Sequence, residues 1–395
     1  MPYPDTVHCA VPFFRCEEFL PFTKSINQGA SKKISSQSSG DLKNIMIPTI
    51  LRTMDSHAMK LRPFRAVWGC HSATDGVLAH SPHLEFETLL PTLKKQGYRG
   101  VEMCLSQALS IGPQRFKDLL DEHDLKVGFI IFSDGPVAPG ADDCIFGQTP
   151  GFSKSAEPGD TNKARVVQSH INVWREQVDA VKEHFPDHCE FVNSHSCKDY
   201  FTWDMADTFF SQALEYDPDV MHEGHRKRFL HSPWVCRDFL IPRFPELKFV
   251  ADLSHFTCVA ETGPSDPDLT AVVEALAPMT HHVHCRVGYD HGPQVADPRA
   301  PEWIPYMEGF ETWWDMIWKA QKERGDEFST MTPEHGPPSY QQTVPFSGEP
   351  MAHIWDVNHW IALRRQERFS HLYGEQNTSA LIPSATQGYE PETNP

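Results

Sequence analysis

The chain reads as an α/β protein built on a single closed (β/α)8 barrel, and three observations predict that fold. Eight short apolar runs recur along it, each followed by a polar or Gly/Pro-containing loop. Stretches of helical period lie between them, and 395 residues accommodate one such barrel with insertions. The barrel is expected over 61–375, between an irregular N-terminal extension, 1–60, and a disordered tail, 376–395.

The extension shows no sustained periodicity. Its stretch SINQGASKKISSQSSGD is polar and Ser-rich, too poor in apolar side chains to form a core. Met59 opens MKLRPFRAVWG, a natural start for the barrel, so the extension reads as a separable leader. A transit peptide is the weaker option, because Arg is sparse and acidic residues are present. Strands are then expected in FRAVWGCH, YRGVEMCL, LKVGFIIFSD, CEFVNSHS, DVMHEGHR, LKFVADLSH, HHVHCRVG and EFSTMTPEHG. The first intervening helix, in HLEFETLLPTLKKQG, sets Leu84, Phe86, Leu89, Leu90 and Leu93 on one side. The same period marks QRFKDLLDEHD, SHINVWREQVDAVKEHF, ADTFFSQALEY, SPWVCRDFLIPRF, LTAVVEALAPM, FETWWDMIWKAQKERG and HIWDVNHWIALRRQERFSHLYG. Two strand-to-helix intervals are long, DGPVAPGADDCIFGQTPGFSKSAEPGDTNKA and YDHGPQVADPRAPEWIPYMEG, and both are placed to form lids or pocket walls over the barrel mouth.

Composition narrows the partners. A formal charge of −18 opposes a phosphate backbone, so nucleic acid is excluded as a substrate. No run of about 18 apolar residues exists, which argues against a membrane span, and MPYPDTVHCAVPFF lacks the basic-then-apolar order of a secretory signal, so a cytoplasmic location is expected. None of the ten cysteines forms a C-x-x-C pair. Cys70, Cys104, Cys189, Cys258 and Cys285 lie in or at the ends of apolar runs, as buried free thiols of a reducing compartment would. The Asn377-Thr378-Ser379 triplet fits a glycosylation acceptor but has no signal peptide to accompany it.

Chemistry concentrates at the ends of the last four strands. Parallel barrel strands all deliver their C-terminal ends to one face, so Glu223, Asp252, His284 and Glu334 become neighbours there. Three carboxylates and one imidazole suit a single divalent cation, Mn²⁺ first, with Mg²⁺, Co²⁺ or Zn²⁺ as options. The segment MHEGH is not the H-E-x-x-H zinc signature, since its histidines are three apart rather than four.

On YRGVEMCL, Glu223, VADLSH with Asp252 and His255, HVHCR with His284, and Glu334, the chain resembles the xylose isomerase-like TIM-barrel superfamily from about Phe64 to Gly374. That superfamily includes sugar isomerases and epimerases, inosose dehydratases and the endonuclease IV branch. The resemblance implies that Glu223, Asp252, His284 and Glu334 bind one divalent ion, that the two glutamates also exchange protons with substrate, and that His255 contacts a substrate oxygen. Ketose epimerases of this kind often carry a second Glu six residues beyond the first and an Arg six beyond the metal histidine; here those positions are Phe229 and Asp290, so the substrate does not transfer.

Further candidates for substrate contact are His195 and Asn193 at the fourth strand, His225 and Arg226 after Glu223, Arg286 two after His284, Glu102 and His71. Strand alternation would turn Arg286 toward a substrate oxyanion or carboxylate. Trp203, Trp234, Trp303 and Tyr340 are candidates for ring stacking. The expected reaction is isomerisation or epimerisation of a small polyhydroxylated substrate through an enediolate, with a dehydratase or C-glycoside-cleaving lyase on the same barrel as one alternative and a non-catalytic metabolite-binding barrel as another. Homo-oligomerisation is a further expectation, because FETWWDMIWKAQ carries more aromatic surface than one helix face normally buries.

Overall fold

The structure is a computed structural model and describes residues 58–68, 70, 85–135 and 161–374. Eight parallel strands close into a barrel in sequence order: β1 (Lys60–Ala66), β2 (Gly100–Cys104), β3 (Lys126–Phe132), β4 (Cys189–His195), β5 (Met221–Glu223), β6 (Phe249–Ala251), β7 (Thr280–His284) and β8 (Phe328–Thr332). Pairing of Lys60 with Phe328 and of Pro63 with Met331 joins the first strand to the last. Every strand falls within or beside one of the eight expected runs. The barrel begins at Lys60, already inside the span expected for the extension; residues 1–57 of that extension, the 376–395 tail, Leu84, His71 and residues 136–160 of the first long interval lie outside the described residues.

The connections are helical. After β1 comes α1 (Phe86–Lys95), which buries Phe86, Leu89, Leu90 and Leu93 at the i, i+3, i+4, i+7 spacing. Each such side chain contributes about 1.5–3 kcal/mol through removal from water. Then follow α2 (Leu105–Ile111), α3 (Pro113–Glu122), α4 (Lys163–His184), α5 (Trp203–Tyr216), and the broken segment α6 (Pro233–Val235) to α7 (Ile241–Arg243), bridged by a wide turn over Cys236–Leu240. Beyond β6 lie α8 (Leu253–Ala260) and α9 (Pro267–Leu276), and the last two strands are followed by α10 (Ile304–Arg324) and α11 (Ile354–Tyr373). Helices α2 and α8 were absent from the periodicity reading, since each is only two turns long and starts within a residue or two of its strand.

Inside the barrel the side chains form layers. Phe191 from β4 stacks on His282 from β7 at 4.2 Å and meets Phe64 edge-on at 5.0 Å, making an aromatic floor. Gly128 is required there, because a Cβ at that position would lie 2.1 Å from the Phe191 ring. Above the floor the residues two further along, Asn193 and His284, together with Glu102 and Glu223, form a buried polar layer.

Two expectations are corrected by packing. Trp313, Trp314 and Trp318 of α10 are all buried: Trp313 donates to Thr270 of α9 at 3.0 Å, Phe369 of α11 covers Trp318 at 4.9 Å, and Arg365 lies over Trp314 and Trp318. Neighbouring helices on both sides use the aromatic surface, so the argument for oligomerisation from it falls away. Of the five cysteines expected to be buried, Cys70 and Cys285 are, whereas Cys104, Cys189 and Cys258 are half-buried. All seven described cysteines are free, and burial pushes the Cys189 and Cys285 thiols up to about 12, away from reactivity. Among the described residues no helix is long and apolar enough to cross a membrane.

Candidate metal centre and active site

The C-terminal ends of β5 to β8 bring the four expected ligands to one place. Glu223 is the last residue of β5, Asp252 follows β6 and caps α8, His284 ends β7, and Glu334 stands two residues beyond β8. One ligand atom each from Glu223, Asp252 and His284 lie within 4.8 Å of one another. His284 Nδ1 is 3.5 Å from Glu223 Oε1, 4.0 Å from Asp252 Oδ2 and 2.9 Å from Glu334 Oε2. Glu334 joins the group through that imidazole.

Each candidate ligand is oriented by its own local structure. Asp252 spends Oδ1 on the backbone N–H of Ser254, 3.1 Å, and on its hydroxyl, 2.5 Å, which caps α8 and leaves Oδ2 facing the centre. Glu223 accepts from Asn193 Nδ2 at 2.6 Å and pairs with His195 Nε2 at 2.8 Å, both on Oε2, so Oε1 faces His284. Gly224 lets β5 end against the Phe249 ring, where a Cβ would come within 2.7 Å. His284 donates from Nε2 to Glu102 Oε1 at 3.0 Å, which fixes the ring and turns the Nδ1 lone pair toward the carboxylates. Glu334 is steadied from behind: Asn358 of α11 clamps the backbone of His335 through bonds of 2.7 and 2.9 Å.

Charge in this layer is strongly coupled. Burial works to lower the His284 pKa, but Glu102, Glu334 and Glu223 outweigh it and hold the imidazole well above its ordinary value. Burial would raise Glu223, yet His195 and His284 pull it well below the usual carboxylate range. Glu334 goes the other way, raised chiefly by burial. A divalent cation and a proton would compete for the same nitrogen. The donors fit a cation: His284 Nδ1 and Glu334 Oε2 are buried and have no hydrogen-bond partner among the described residues, although they sit 2.9 Å apart. Three carboxylates and an imidazole form a hard donor set of the kind that Mn²⁺, Mg²⁺, Co²⁺ and Zn²⁺ accept.

The other candidates are distributed unevenly. Glu102 is buried, bonded to His284, and also faces His282 Nε2 at 3.6 Å. Asn193 and His195 are engaged by Glu223. His225 lies between His195 and His255, with ring centroids 4.6 and 3.9 Å away, and His195, Glu223 and His225 also bring donor atoms within 4.8 Å of one another. His255, on the first turn of α8, accepts from Arg286 at 3.0 Å on Nε2, and burial together with His225, Arg286 and Arg226 holds it well below its ordinary pKa. β7 ends at His284, so strand alternation does not carry Arg286, yet its guanidinium reaches the same centre, 3.5 Å from Glu334 Oε2. Its guanidinium bonds Asp252, Ser254 Oγ at 3.1 Å and the Glu334 carbonyl at 3.4 Å. Arg226 and Arg286 both lie over the Tyr340 ring, at 5.0 and 4.8 Å. Trp203 packs on Phe239, Trp234 lies under Arg237 and Trp303 meets Tyr289 and Tyr306, so Tyr340 is the one expected stacking residue in contact with a site residue among those described.

The second long interval, after β7, forms part of the rim. Gln294 pairs both ends of its amide with the backbone of Gly336, at 3.0 and 2.7 Å, and bonds Gln341, tying this segment to the loop that follows Glu334. Neither Gln294 nor Asn358 stood out in the sequence; a buried amide on an apolar helix face was the only sign of the latter.

The barrel and its mouth define an α/β protein with a candidate cation centre at the C-terminal end of its strands. No family model matches the chain, and no curated protein does. Among solved structures it is similar to the D-allulose 3-epimerase of a Methylomonas species, at 15% identity and TM-score 0.46, covering 79% of this chain and 99% of that one. It is also similar to the probable 3-DHS dehydratase AsbF of Bacillus anthracis, at 11% identity and TM-score 0.40, covering 75% and 98%. A third is a xylose isomerase-like TIM barrel/4-hydroxyphenylpyruvate dioxygenase fusion protein, at 11% and 0.44, covering 82% of this chain and 46% of that one. These are likenesses of fold, and the chemistry rests on the residues above.

Proposed function

We propose that the protein is a divalent-metal-dependent enzyme that isomerises or epimerises a sugar, or a sugar-like polyol or ketone, by moving a carbon-bound proton. The observation that supports this reading is the convergence of Glu223, Asp252 and His284 with Glu334 at the barrel mouth. When bound, a divalent ion held by these four residues supplies Lewis-acid stabilisation for the charge that develops on the substrate oxygens. Glu223 and Glu334 flank His284 and take the proton-transfer roles, one removing a proton next to the carbonyl and the other returning it. Return to the same carbon epimerises, and return to its neighbour isomerises. Because His255 Nε2 accepts from Arg286, its proton resides on Nδ1, which is buried without a partner among the described residues and is free to donate to a substrate oxygen.

One observation favours a second reading. The row of His195, His225 and His255 beside Glu223 places imidazoles where a departing group would need a proton, so the same enediolate can expel a β-substituent and make the protein a lyase. Incubating the Mn²⁺-loaded protein with ketoses, inososes and aromatic C-glycosides in deuterated water separates the outcomes. Deuterium in recovered or isomerised sugar supports the first reading, release of water or aglycone the second, and neither with any substrate leaves a non-catalytic binding barrel. Glu223→Gln should abolish exchange while retaining part of the bound metal, and full activity in that variant refutes its role.

A further inference from the structure

We propose that Arg226, held on Tyr340, is an anion subsite at the rim of the barrel mouth, and that the substrate carries a carboxylate remote from the carbon that exchanges its proton. This rests on the enzymatic reading above and adds the substrate's charge to it.

Arg226 lies three residues past Glu223 and is half-buried. Its guanidinium stands over the Tyr340 ring at 5.0 Å and makes no hydrogen bond or ion pair with any described residue. That is unusual in a chain with 53 acidic against 35 basic residues. Nearby arginines have found acids: Arg228 pairs with Asp134 at 2.7 Å, Arg299 with Asp297 at 2.7 Å, and Arg286 with Asp252. A stacked guanidinium is positioned without consuming its five N–H donors, and a planar fork of donors matches the two oxygens of a carboxylate.

The platform is fixed and faces the right place. Tyr340 meets Trp68 edge-on at 5.0 Å and its backbone N–H donates to Pro337 at 2.8 Å. The same ring lies 4.8 Å from Arg286, which contacts Asp252 and His255, so the subsite adjoins the candidate metal centre. Arg286 cannot serve as the anion receptor, because its donors are engaged by Asp252, Ser254, the Glu334 carbonyl and His255. The carboxylate-binding role expected of Arg286 therefore passes to Arg226.

The test is equilibrium binding to the Mn²⁺-loaded protein by calorimetry, with ligands paired by charge: D-gluconate with D-glucitol, D-galacturonate with D-galactose, and glucose 6-phosphate as a phosphate control. A charge-assisted contact of this kind predicts a preference of about 10- to 100-fold for an acid over its neutral partner. Arg226→Gln should remove at least about ten-fold more affinity from the acid than from the neutral ligand, and Arg226→Lys should fall between. Equal binding of acid and neutral partner in every pair, equal losses in Arg226→Gln, or a preference for the phosphate over both acids overturns the proposal. Absence of deuterium exchange would count against the enzymatic reading and leave these binding ratios legible.

Discussion

Replacing Glu102 by Gln removes one charge from beneath His284 while keeping the volume. In the native protein Oε1 accepts from His284 Nε2 at 3.0 Å, and Oε2 lies 3.6 Å from His282 Nε2. His282 in turn meets the hydroxyls of Thr330 and Thr332 at 2.7 and 3.1 Å. Glutamine can still present its carbonyl to His284, but the bond ceases to be charge-assisted and loses about half its strength. Its new NH₂ must then face His282, which accommodates it only by changing tautomer and rotating the Thr hydroxyls. The imidazole becomes a weaker donor to a cation and its ring is less firmly aimed. Substitutions behind a metal ligand cost about 10- to 100-fold in metal affinity, or ~1.4–2.7 kcal/mol. Titration of Mn²⁺ against Glu102→Gln, read by the electron paramagnetic resonance signal of the free ion, measures this directly, with circular dichroism confirming the fold. An affinity within two-fold of the native protein refutes the reasoning. A loss as large as that of His284→Ala would instead make Glu102 a ligand.

Two further predictions concern the barrel wall. Asp134 is buried against Arg228 and Lys198; burial alone would raise its pKa, but those two cations outweigh it and hold the carboxyl below its ordinary value. Its contribution to stability is therefore complete above the unfolded value near pH 4 and fades as pH falls through the lower folded value. Asp134→Asn should cost ~3–5 kcal/mol at neutral pH by leaving the cations uncompensated, with the gap in urea midpoints closing in acid; a gap independent of pH contradicts this account. Gly128→Ala should destabilise by about 1–3 kcal/mol, because its methyl would lie 2.1 Å from a Phe191 ring already wedged between Phe64 and His282. An unchanged melting temperature would show that the floor yields.

The strands and the candidate cation ligands were legible because both depend on local pattern. A run of apolar residues ending in a polar loop marks a strand wherever its partners lie, and a parallel barrel then places every strand end on one face. Glu223, Asp252, His284 and Glu334 follow from that rule without knowledge of a single contact. Alternation could not place Arg286, because β7 stops at His284; its guanidinium reaches Asp252 and Glu334 by the path of the following loop instead. The exposure argument for Trp313, Trp314 and Trp318 failed because neighbouring helices cover these side chains, and that covering by α9 and α11 is a matter of tertiary arrangement.

What stayed hidden was the support beneath the candidate ligands. Glu102 and His284 are 182 positions apart in sequence and meet only because register across the closed sheet sets them in one layer. His282 and His284, two apart on β7, were an available sign, since period two sends both side chains into the barrel. An interior with Glu102, Asn193, His282, Thr330 and Thr332 all buried is costly unless those groups find partners: His282 bonds both threonines and lies 3.6 Å from Glu102, Glu102 bonds His284, and Asn193 bonds Glu223. The polar interior is thus better explained as a mount for His284 and Glu223 than as packing: an apolar barrel would be easier to fold, but it would leave both side chains free to turn away from the mouth.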